Sequence, residues 1–166
     1  MGQADFAVLS HGHYDHGGGL PAFFAANRRA RAYVRRGAFE GRYALRPGGE
    51  REYIGLEPAV KSSGRAVETE ELSELAPGLT LFSGVRGREL FSGANRLLLG
   101  ADGETPDSFS HEQHLLIREG GRRVLIAGCC HCGIVNILAR LAELEPEPPD
   151  AVIGGFHLAV PGTGEL

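Results

Sequence analysis

Ser10-His11-Gly12-His13-Tyr14-Asp15-His16 is the stretch that decides the fold, because it places three imidazoles and one carboxylate within six residues. It follows the short apolar run Asp5–Leu9, which predicts a buried strand, so the histidines lie just beyond a strand end. Side chains two residues apart point to the same side of extended backbone, and the Asp and the last His follow within one tight turn. Four potential metal ligands therefore converge without long-range folding.

The mixture of ligand types in this segment narrows the choice of metal. Imidazole and carboxylate together suit Zn²⁺, Fe or Mn²⁺ rather than Ca²⁺, which prefers all-oxygen sites. Gly12 is interpreted as allowing close approach of the backbone to a metal, and Gly17-Gly18-Gly19 free the chain to turn. The alternative, a set of solvated loop histidines, does not account for so dense a cluster after a buried strand.

Around this segment the sequence predicts strands that alternate with helices. Pro21 in a first helical turn predicts an amphipathic helix from Leu20 through about Asn27. From Arg36 to about Ala66 the chain is rich in Gly, Arg and Glu, which predicts a long excursion with a short helix near Phe39–Tyr43. Further strands are predicted at Ala32–Val34, Ala66–Thr69, Leu79–Phe82 after a turn at Pro77-Gly78, and Arg96–Leu99.

The second part of the chain repeats the order of strand, histidine-bearing loop and helix. Strands at His114–Arg118 and Arg123–Ala127 flank Gly120-Gly121, a two-residue turn typical of a β-hairpin. Apolar residues at helical spacing predict a helix from Ile134 that Pro146 ends. A last strand, Ala151–Ile153, runs into Gly154-Gly155-Phe156-His157. This repetition favours a layered α/β architecture.

Composition excludes several classes of protein. The 166 residues predict a single domain over 1–166, and 42% apolar with 23% charged residues is typical of a globular chain. A net charge of −4 with scattered arginines does not predict a nucleic-acid partner, and no apolar stretch is long enough for a membrane helix. The three cysteines lie within four positions, so a reducing, cytoplasmic location is expected. The oligomeric state is left open.

Four segments together resemble the metallo-β-lactamase superfamily, whose signature is His-x-His-x-Asp-His. The match begins at Ser10–His16, which Gly18-Gly19-Leu20 follows. Three later segments are similar to the branch that includes a dihydropterin aminobenzene-phosphate synthase of methanopterin biosynthesis: His111-Glu112-Gln113, Gly128–Ile137 and Gly154–Leu158.

The resemblance implies a four-layer αβ/βα sandwich built from two similar halves, usually of well over 200 residues. This chain starts at the second motif of that pattern and lacks a later His-Cys-Thr-Gly-like segment. The expected fold is therefore a partial sandwich, truncated at both ends, with an open sheet edge that is a liability for aggregation.

The resemblance also implies a ligand set. His11 and His13 are expected to bind one metal, and Asp15 and His16 a second, with water between them. Asp15 is the catalytic candidate, because it also orients that water. Downstream ligands in the family come from loops at strand ends, which here selects His131 and then His157.

Other residues near these motifs have two interpretations each. His111 and Glu112 are either ligands or neighbours that hold a ligand imidazole in one tautomer. Cys129 is either a thiolate ligand or a small buried residue at a crowded turn. Cys129 and Cys132 also have the spacing of a redox pair, whereas His114 simply begins a strand.

The predicted function is that of a metal-dependent, hydrolase-type enzyme with one or two zinc ions, or Fe or Mn, in its site. Its substrate is expected to be a small, phosphate-bearing or ester-like molecule, with the arginine-rich excursion 35–51 in contact with the phosphate. Three alternatives stay open: a pterin-related synthase of the same fold, a non-catalytic metal-binding fragment, and a redox module.

Overall fold

Three sheets and four α-helices make up the described part of the computed structural model, residues 2–158. The strands are β1 (Phe6–Val8), β2 (Arg31–Arg35), β3 (Tyr43–Leu45), β4 (Arg51–Tyr53), β5 (Ala66–Thr69), β6 (Leu72–Ala76), β7 (Leu79–Phe82), β8 (Leu98–Leu99), β9 (His114–Glu119), β10 (Arg122–Ile126) and β11 (Ala151–Ile153). The helices are α1 (Tyr14–Gly17), α2 (Leu20–Ala26), α3 (Pro58–Ser62) and α4 (Ile134–Leu144), with a 3₁₀ helix at Gly93–Leu97.

The first sheet, in the order β1-β2-β5, is entirely parallel. Parallel neighbours require a crossover connection, and α2 supplies it between β1 and β2, as the sequence predicts. Leu20 of α2 and Val60 of α3 pack with the buried side chains of β2 to form the core of this half. The sheet thereby holds the carboxyl end of β1, where the histidine segment begins.

The second sheet is mixed, in the order β11-β10-β9-β7-β6. The predicted hairpin is confirmed: β9 and β10 pair antiparallel across Gly120 and Gly121, both of which have positive φ. Helix α4 then returns the chain so that β11 runs parallel to β10. The core of this half contains Phe82, Phe109, Leu116, Leu125, Ile137 and Leu141.

The excursion from Arg36 to about Ala66 differs from the prediction, and the prediction of a helix near Phe39–Tyr43 is wrong. The chain turns there, with positive φ at Gly37, and Tyr43 begins β3. Strand β3 pairs antiparallel with both β4 and β8 to form a third, small sheet. Since β8 lies more than fifty residues away in sequence, no local pattern reveals this pairing.

Two further predictions of strands are corrected by the structure. Strand β6 was not expected; it pairs with β7 across the Pro77-Gly78 turn, whereas β5 belongs to a different sheet. The strand predicted at Arg96–Leu99 is mostly 3₁₀ helix, and only Leu98–Leu99 is a strand. The remaining predicted strands and helices are confirmed within a residue or two, and so is the α/β class. Among residues 2–158, no helix is long and apolar enough to cross a membrane.

Candidate metal centre

The histidine segment leaves β1 in extended backbone and then makes one helical turn. His13 is extended, with φ −100° and ψ 148°, and α1 begins at the next residue. His11 and His13 are 1% and 4% exposed, and their ring centroids lie 4.6 Å apart. The predicted convergence of these two imidazoles on one side is therefore what the structure shows.

A second loop, which follows β10, brings His131 to the same place. Its ring centroid lies 4.8 Å from that of His11 and 5.0 Å from that of His13. Asn95 orients it, because the Asn95 amide oxygen lies 3.1 Å from His131 Nδ1 and the amide nitrogen donates to the His131 carbonyl at 2.7 Å. One potential ligand atom from each of the three histidines lies within 4.8 Å of the others.

The ring nitrogens of this group fit a metal ion. Nε2 of both His11 and His13 is buried and has no hydrogen-bond partner among the described residues. A buried polar atom without a partner is costly, and these two belong to side chains whose potential ligand atoms lie within 4.8 Å of each other, so they fit a shared metal ion. Three imidazoles are a donor set that Zn²⁺ favours.

The electrostatics of the group keep these imidazoles neutral. Burial and the neighbouring histidines lower the pKa of His11 far below its ordinary range, and they lower that of His131 to about 2. For His13, burial and His111 lower the pKa to about 4 against an opposing effect of Asp107. Since a metal binds the neutral form of imidazole, the three side chains are ready as ligands at neutral pH.

A second group of potential ligand atoms consists of His11, His16 and Cys129. His16 Nε2 lies 3.0 Å from Cys129 Sγ, and Ser10 Oγ lies within hydrogen-bond distance of Nδ1 of both His11 and His16. Cys129 is thus at the site and not merely a space-filling residue. A cavity of about 400 Å³ opens beside this group; it is lined by Val8, Leu9, Ser10, His16, Gln113, Leu115, Ile126, Ala127, Gly128, Cys129 and Gly155.

Asp15 is placed differently from the other predicted ligands. Its side chain is 56% exposed, and its Oδ2 lies 3.7 Å from His16 Nε2. No group of three ligand atoms in the described chain includes it. Its roles as ligand and as catalytic residue stay predictions.

His157 also stays a predicted ligand. Its ring centroid lies 4.4 Å from that of His131, and its Nε2 is buried without a partner in residues 2–158. Burial lowers its pKa. By contrast, His114 packs against Phe82 at the start of β9, as the structural interpretation of that residue expects.

A third group, His13, Asp107 and His111, has the chemistry of an ion-pair network. Gly12 N–H donates to His111 Nδ1 at 2.9 Å, so the ring proton is on Nε2, 3.0 Å from Asp107 Oδ2. The guanidinium of buried Arg42 lies 3.1 Å from the same oxygen. Both ring nitrogens of His111 and the Asp107 carboxylate are thus engaged by protein partners, so this group orients the site.

Asp107 and Arg42 were missed by the sequence-based prediction. Burial alone would raise the pKa of Asp107, but the hydrogen bonds from His111 and the Phe109 N–H, together with the charge of Arg42, hold it below its ordinary value. A single aspartate in a loop produces no periodic pattern. Its position four residues before His111 was the available signal.

The open questions about Glu112 and Gly12 are answered by their contacts. Glu112 is 2% exposed, and its two oxygens accept the N–H groups of His131 and Cys132, each at 2.8 Å. Glu112 therefore holds the loop that carries His131. A Cβ on Gly12 would overlap the carbonyl oxygen of Ala38, so this glycine permits close approach to the excursion, while its approach to a metal stays a prediction.

All three cysteines are free thiols. Burial raises the pKa of Cys129 and of Cys132, and it raises that of Cys130 to about 12. Because the thiolate is the reactive form, raised values make these thiols poor nucleophiles. The redox alternative gains no support.

The arginines of the excursion are already engaged by protein partners. Arg42 is paired with Asp107, Arg36 with Glu70 and Arg46 with Glu52. Arg35 and Arg51 donate to the carbonyl oxygens of Thr69 and Gly103. Contact between this segment and a substrate phosphate stays a prediction.

Comparison with known families explains this arrangement of histidines. The family model of the metallo-beta-lactamase superfamily matches residues 3–141. The chain belongs to the metallo-beta-lactamase superfamily. The fold of the described residues is accordingly an α/β fold of this superfamily, and the resemblance predicted from the motifs is confirmed.

Individual superfamily relatives agree with this assignment. An uncharacterized protein of Methanocaldococcus jannaschii is 30% identical over 161 residues, which cover 93% of this chain and 58% of that protein. The 7,8-dihydropterin-6-methyl-4-(β-D-ribofuranosyl)-aminobenzene-5'-phosphate synthase of the same organism is 27% identical over 93% of this chain and 56% of the synthase. Similarity to the predicted branch is thereby confirmed.

Solved structures of the superfamily lead to the same conclusion. Tm1679, a metal-dependent hydrolase of the beta-lactamase superfamily, has a TM-score of 0.76 and 29% identity over 95% of this chain and 59% of that protein. An N-acyl homoserine lactone hydrolase, with its product bound at the catalytic metal centre, has a TM-score of 0.51 and 18% identity, which shows the fold alone. This chain thus spans a little under three fifths of the relatives it matches.

Proposed function

We propose that this chain carries the metal site of a hydrolase-type enzyme that acts on a small molecule. The observation that carries the proposal is the group His11, His13 and His131, in which neutral, buried imidazoles converge and the Nε2 atoms of His11 and His13 have no hydrogen-bond partner among the described residues. We assign one metal to this group. A second ion is assigned to His16 and Cys129, with Asp15 at its exposed side.

The metal would contribute the chemistry that the side chains lack. A divalent ion such as Zn²⁺, Fe or Mn²⁺ polarises an ester or phosphate oxygen and allows water to ionise near neutral pH. The histidines hold the ion, and Asn95 keeps the His131 ring in one orientation. We assign to Asp15, whose exposed carboxylate lies 3.7 Å from His16 Nε2, the role of accepting a proton from water.

The substrate class follows from the space beside the site. A cavity of about 400 Å³ has the size of a small-molecule pocket, and its lining includes Ser10 and two members of the second group, His16 and Cys129. Apolar residues such as Leu115 and Ile126 form its walls, which favours a substrate with an apolar part. A small-molecule partner, rather than nucleic acid or a membrane, fits this cavity and the net charge of −4. A cytoplasmic location is proposed with it.

The second candidate is a transferase of the dihydropterin synthase type. Similarity to the synthase of Methanocaldococcus jannaschii favours it. In that reaction the same metal site would stabilise departing pyrophosphate while an aromatic ring attacks a pterin methylene carbon. The two candidates differ in product, because only the transferase releases pyrophosphate.

Elemental analysis of purified protein, expressed as metal per folded monomer, tests the proposal. Wild type is expected to hold between one and two ions, and His13→Ala to lose the ion shared with His11 and His131. His114→Phe is the matched control, since this buried imidazole lies outside the three ligand groups found in residues 2–158 and has no hydrogen-bond partner there to lose. Folded wild-type protein that takes up no Zn²⁺, Fe or Mn²⁺ on dialysis would refute the assignment.

Activity assays then separate the candidates. Turnover of lactone, phosphodiester or β-lactam substrates by the metal-loaded chain supports the hydrolase. Pyrophosphate release from a pterin diphosphate and an aminobenzene acceptor supports the transferase. Bound metal with neither activity would identify a metal-binding fragment.

A further inference from the structure

Three consecutive side chains hold three separate parts of the site. His111 Nδ1 accepts the Gly12 N–H at 2.9 Å, which ties it to the first histidine loop. Glu112 accepts two N–H groups from the loop of His131. Gln113 donates to the carbonyl oxygen of Leu9 at 2.7 Å, at the end of β1. All three side chains are at most 2% exposed.

The segment also joins the two larger sheets. The Gln113 amide oxygen accepts from Thr69 Oγ1 at 2.6 Å, and its amide nitrogen donates to the Tyr33 carbonyl at 3.1 Å, so Gln113 contacts all three strands of the first sheet or their ends. The next residue, His114, begins β9 in the second sheet and pairs with Phe82. Gln113 and His114 therefore connect the first sheet to the second at two consecutive residues.

The segment 111–113 thus links the loop that carries His11 and His13 to the loop that carries His131. His11 and His13 belong to the first sheet, whereas His131 follows β10 of the second. Three imidazoles can share one ion only if the positions of the two loops relative to each other are fixed to within about 0.5 Å. The Glu112 contacts are charge-assisted and bidentate, and they stabilise a loop whose Cys130 has a φ of 56°.

We propose that His111-Glu112-Gln113 is a positioning segment, in which Glu112 sets the place of His131 relative to the His11 and His13 pair. The proposal rests on the metal-binding function proposed above. Glu112 is a positioning residue and not a ligand, because both of its oxygens are used by backbone N–H groups and it belongs to no group of ligand atoms in residues 2–158.

Glu112→Gln is the informative variant, because it keeps the shape of the side chain but loses the charge and one acceptor. Either His131 or Cys132 is then left with a buried, unpaired N–H. Glu104→Gln makes the same change at an exposed position and is the matched control. Retained circular dichroism in both variants shows that the fold survives.

Amide hydrogen exchange of metal-free protein tests the hold on the loop. In Glu112→Gln, exchange over residues 128–133 is expected to accelerate about tenfold, which corresponds to loss of one hydrogen bond to a charged group. The β9–β10 hairpin and the control variant should be unchanged. Exchange over 128–133 that equals wild type would overturn the proposal.

Competition for Zn²⁺ with a chromophoric chelator tests the connection to His131. In the otherwise wild-type protein, Glu112→Gln is expected to raise the Kd for Zn²⁺ about tenfold. In protein that already carries His131→Ala, the same substitution should leave this Kd unchanged, because its effect depends on the His131 imidazole. Equal weakening in both backgrounds would mean a merely structural role and would overturn the assignment. If wild type binds no Zn²⁺, the proposed function fails, while the exchange result still decides whether Glu112 holds the loop.

Discussion

Replacing Asp107 with asparagine is expected to lower the free energy of unfolding by about 3 kcal/mol. The Asp107 side chain is 2% exposed, and Oδ2 lies 3.1 Å from Nε of Arg42, whose side chain is 3% exposed. Asparagine keeps the shape and removes the charge, which leaves a buried guanidinium without its nearest anion. Breaking a buried ion pair from one side costs roughly 3–5 kcal/mol. The lower end applies, because Arg42 keeps the carbonyl oxygens of Gly37 and Gly41.

Urea unfolding followed by circular dichroism measures this loss. For a chain of this length the melting temperature should fall with it by roughly 6–12 °C. Asp5→Asn, the same change at an exposed position, should leave the urea midpoint unchanged. A loss below about 1 kcal/mol in Asp107→Asn would refute the reasoning, because it would mean that the Arg42 charge is satisfied without this carboxylate.

The remaining predictions concern acid stability and the first histidine loop. Burial depresses the pKa of His13 from 6.5 to about 4. Between these two pH values the His13 imidazole is protonated in the unfolded chain but neutral in the folded, metal-free protein. The free energy of unfolding should therefore fall by about 2 kcal/mol from this residue between pH 7 and pH 5, and urea midpoints that match at the two pH values would contradict it. Gly12→Ala should cost about 2–3 kcal/mol, because its Cβ would overlap the Ala38 carbonyl oxygen. Gly19→Ala, where a Cβ meets nothing within 4 Å, should unfold at the wild-type temperature, and equal melting of both variants would be evidence against the close approach.

Local features of this protein could be predicted because their causes are local. The Gly120-Gly121 hairpin follows from turn chemistry and alternation, and α4 follows from apolar spacing that Pro146 ends. His11 and His13 meet because neighbouring extended residues two apart share a side. Each of these depends on fewer than about fifteen consecutive residues.

Features that join distant segments were missed or misassigned for the same reason. Strand β3 is defined by pairing with β8, so its own sequence suggested a short helix instead. The burial of Asp107 against Arg42 depends on a contact between residues 65 positions apart, which leaves no periodic trace. Motif similarity added what local patterns lack, since it pointed to His131 and to the segment His111–Gln113 before their contacts were known.

The sequence by itself determined the histidine cluster, the α/β class and the superfamily, because motif spacing and periodicity are properties of short stretches. Only the tertiary structure decided how those stretches are used. It placed Cys129 Sγ 3.0 Å from His16 Nε2, closer than the Asp15 carboxylate at 3.7 Å, and it directed both Glu112 oxygens to backbone N–H groups of the loop that carries His131. These contacts join residues 113 and 19 positions apart, and they arise from packing the two sheets together, which no single segment of the sequence specifies.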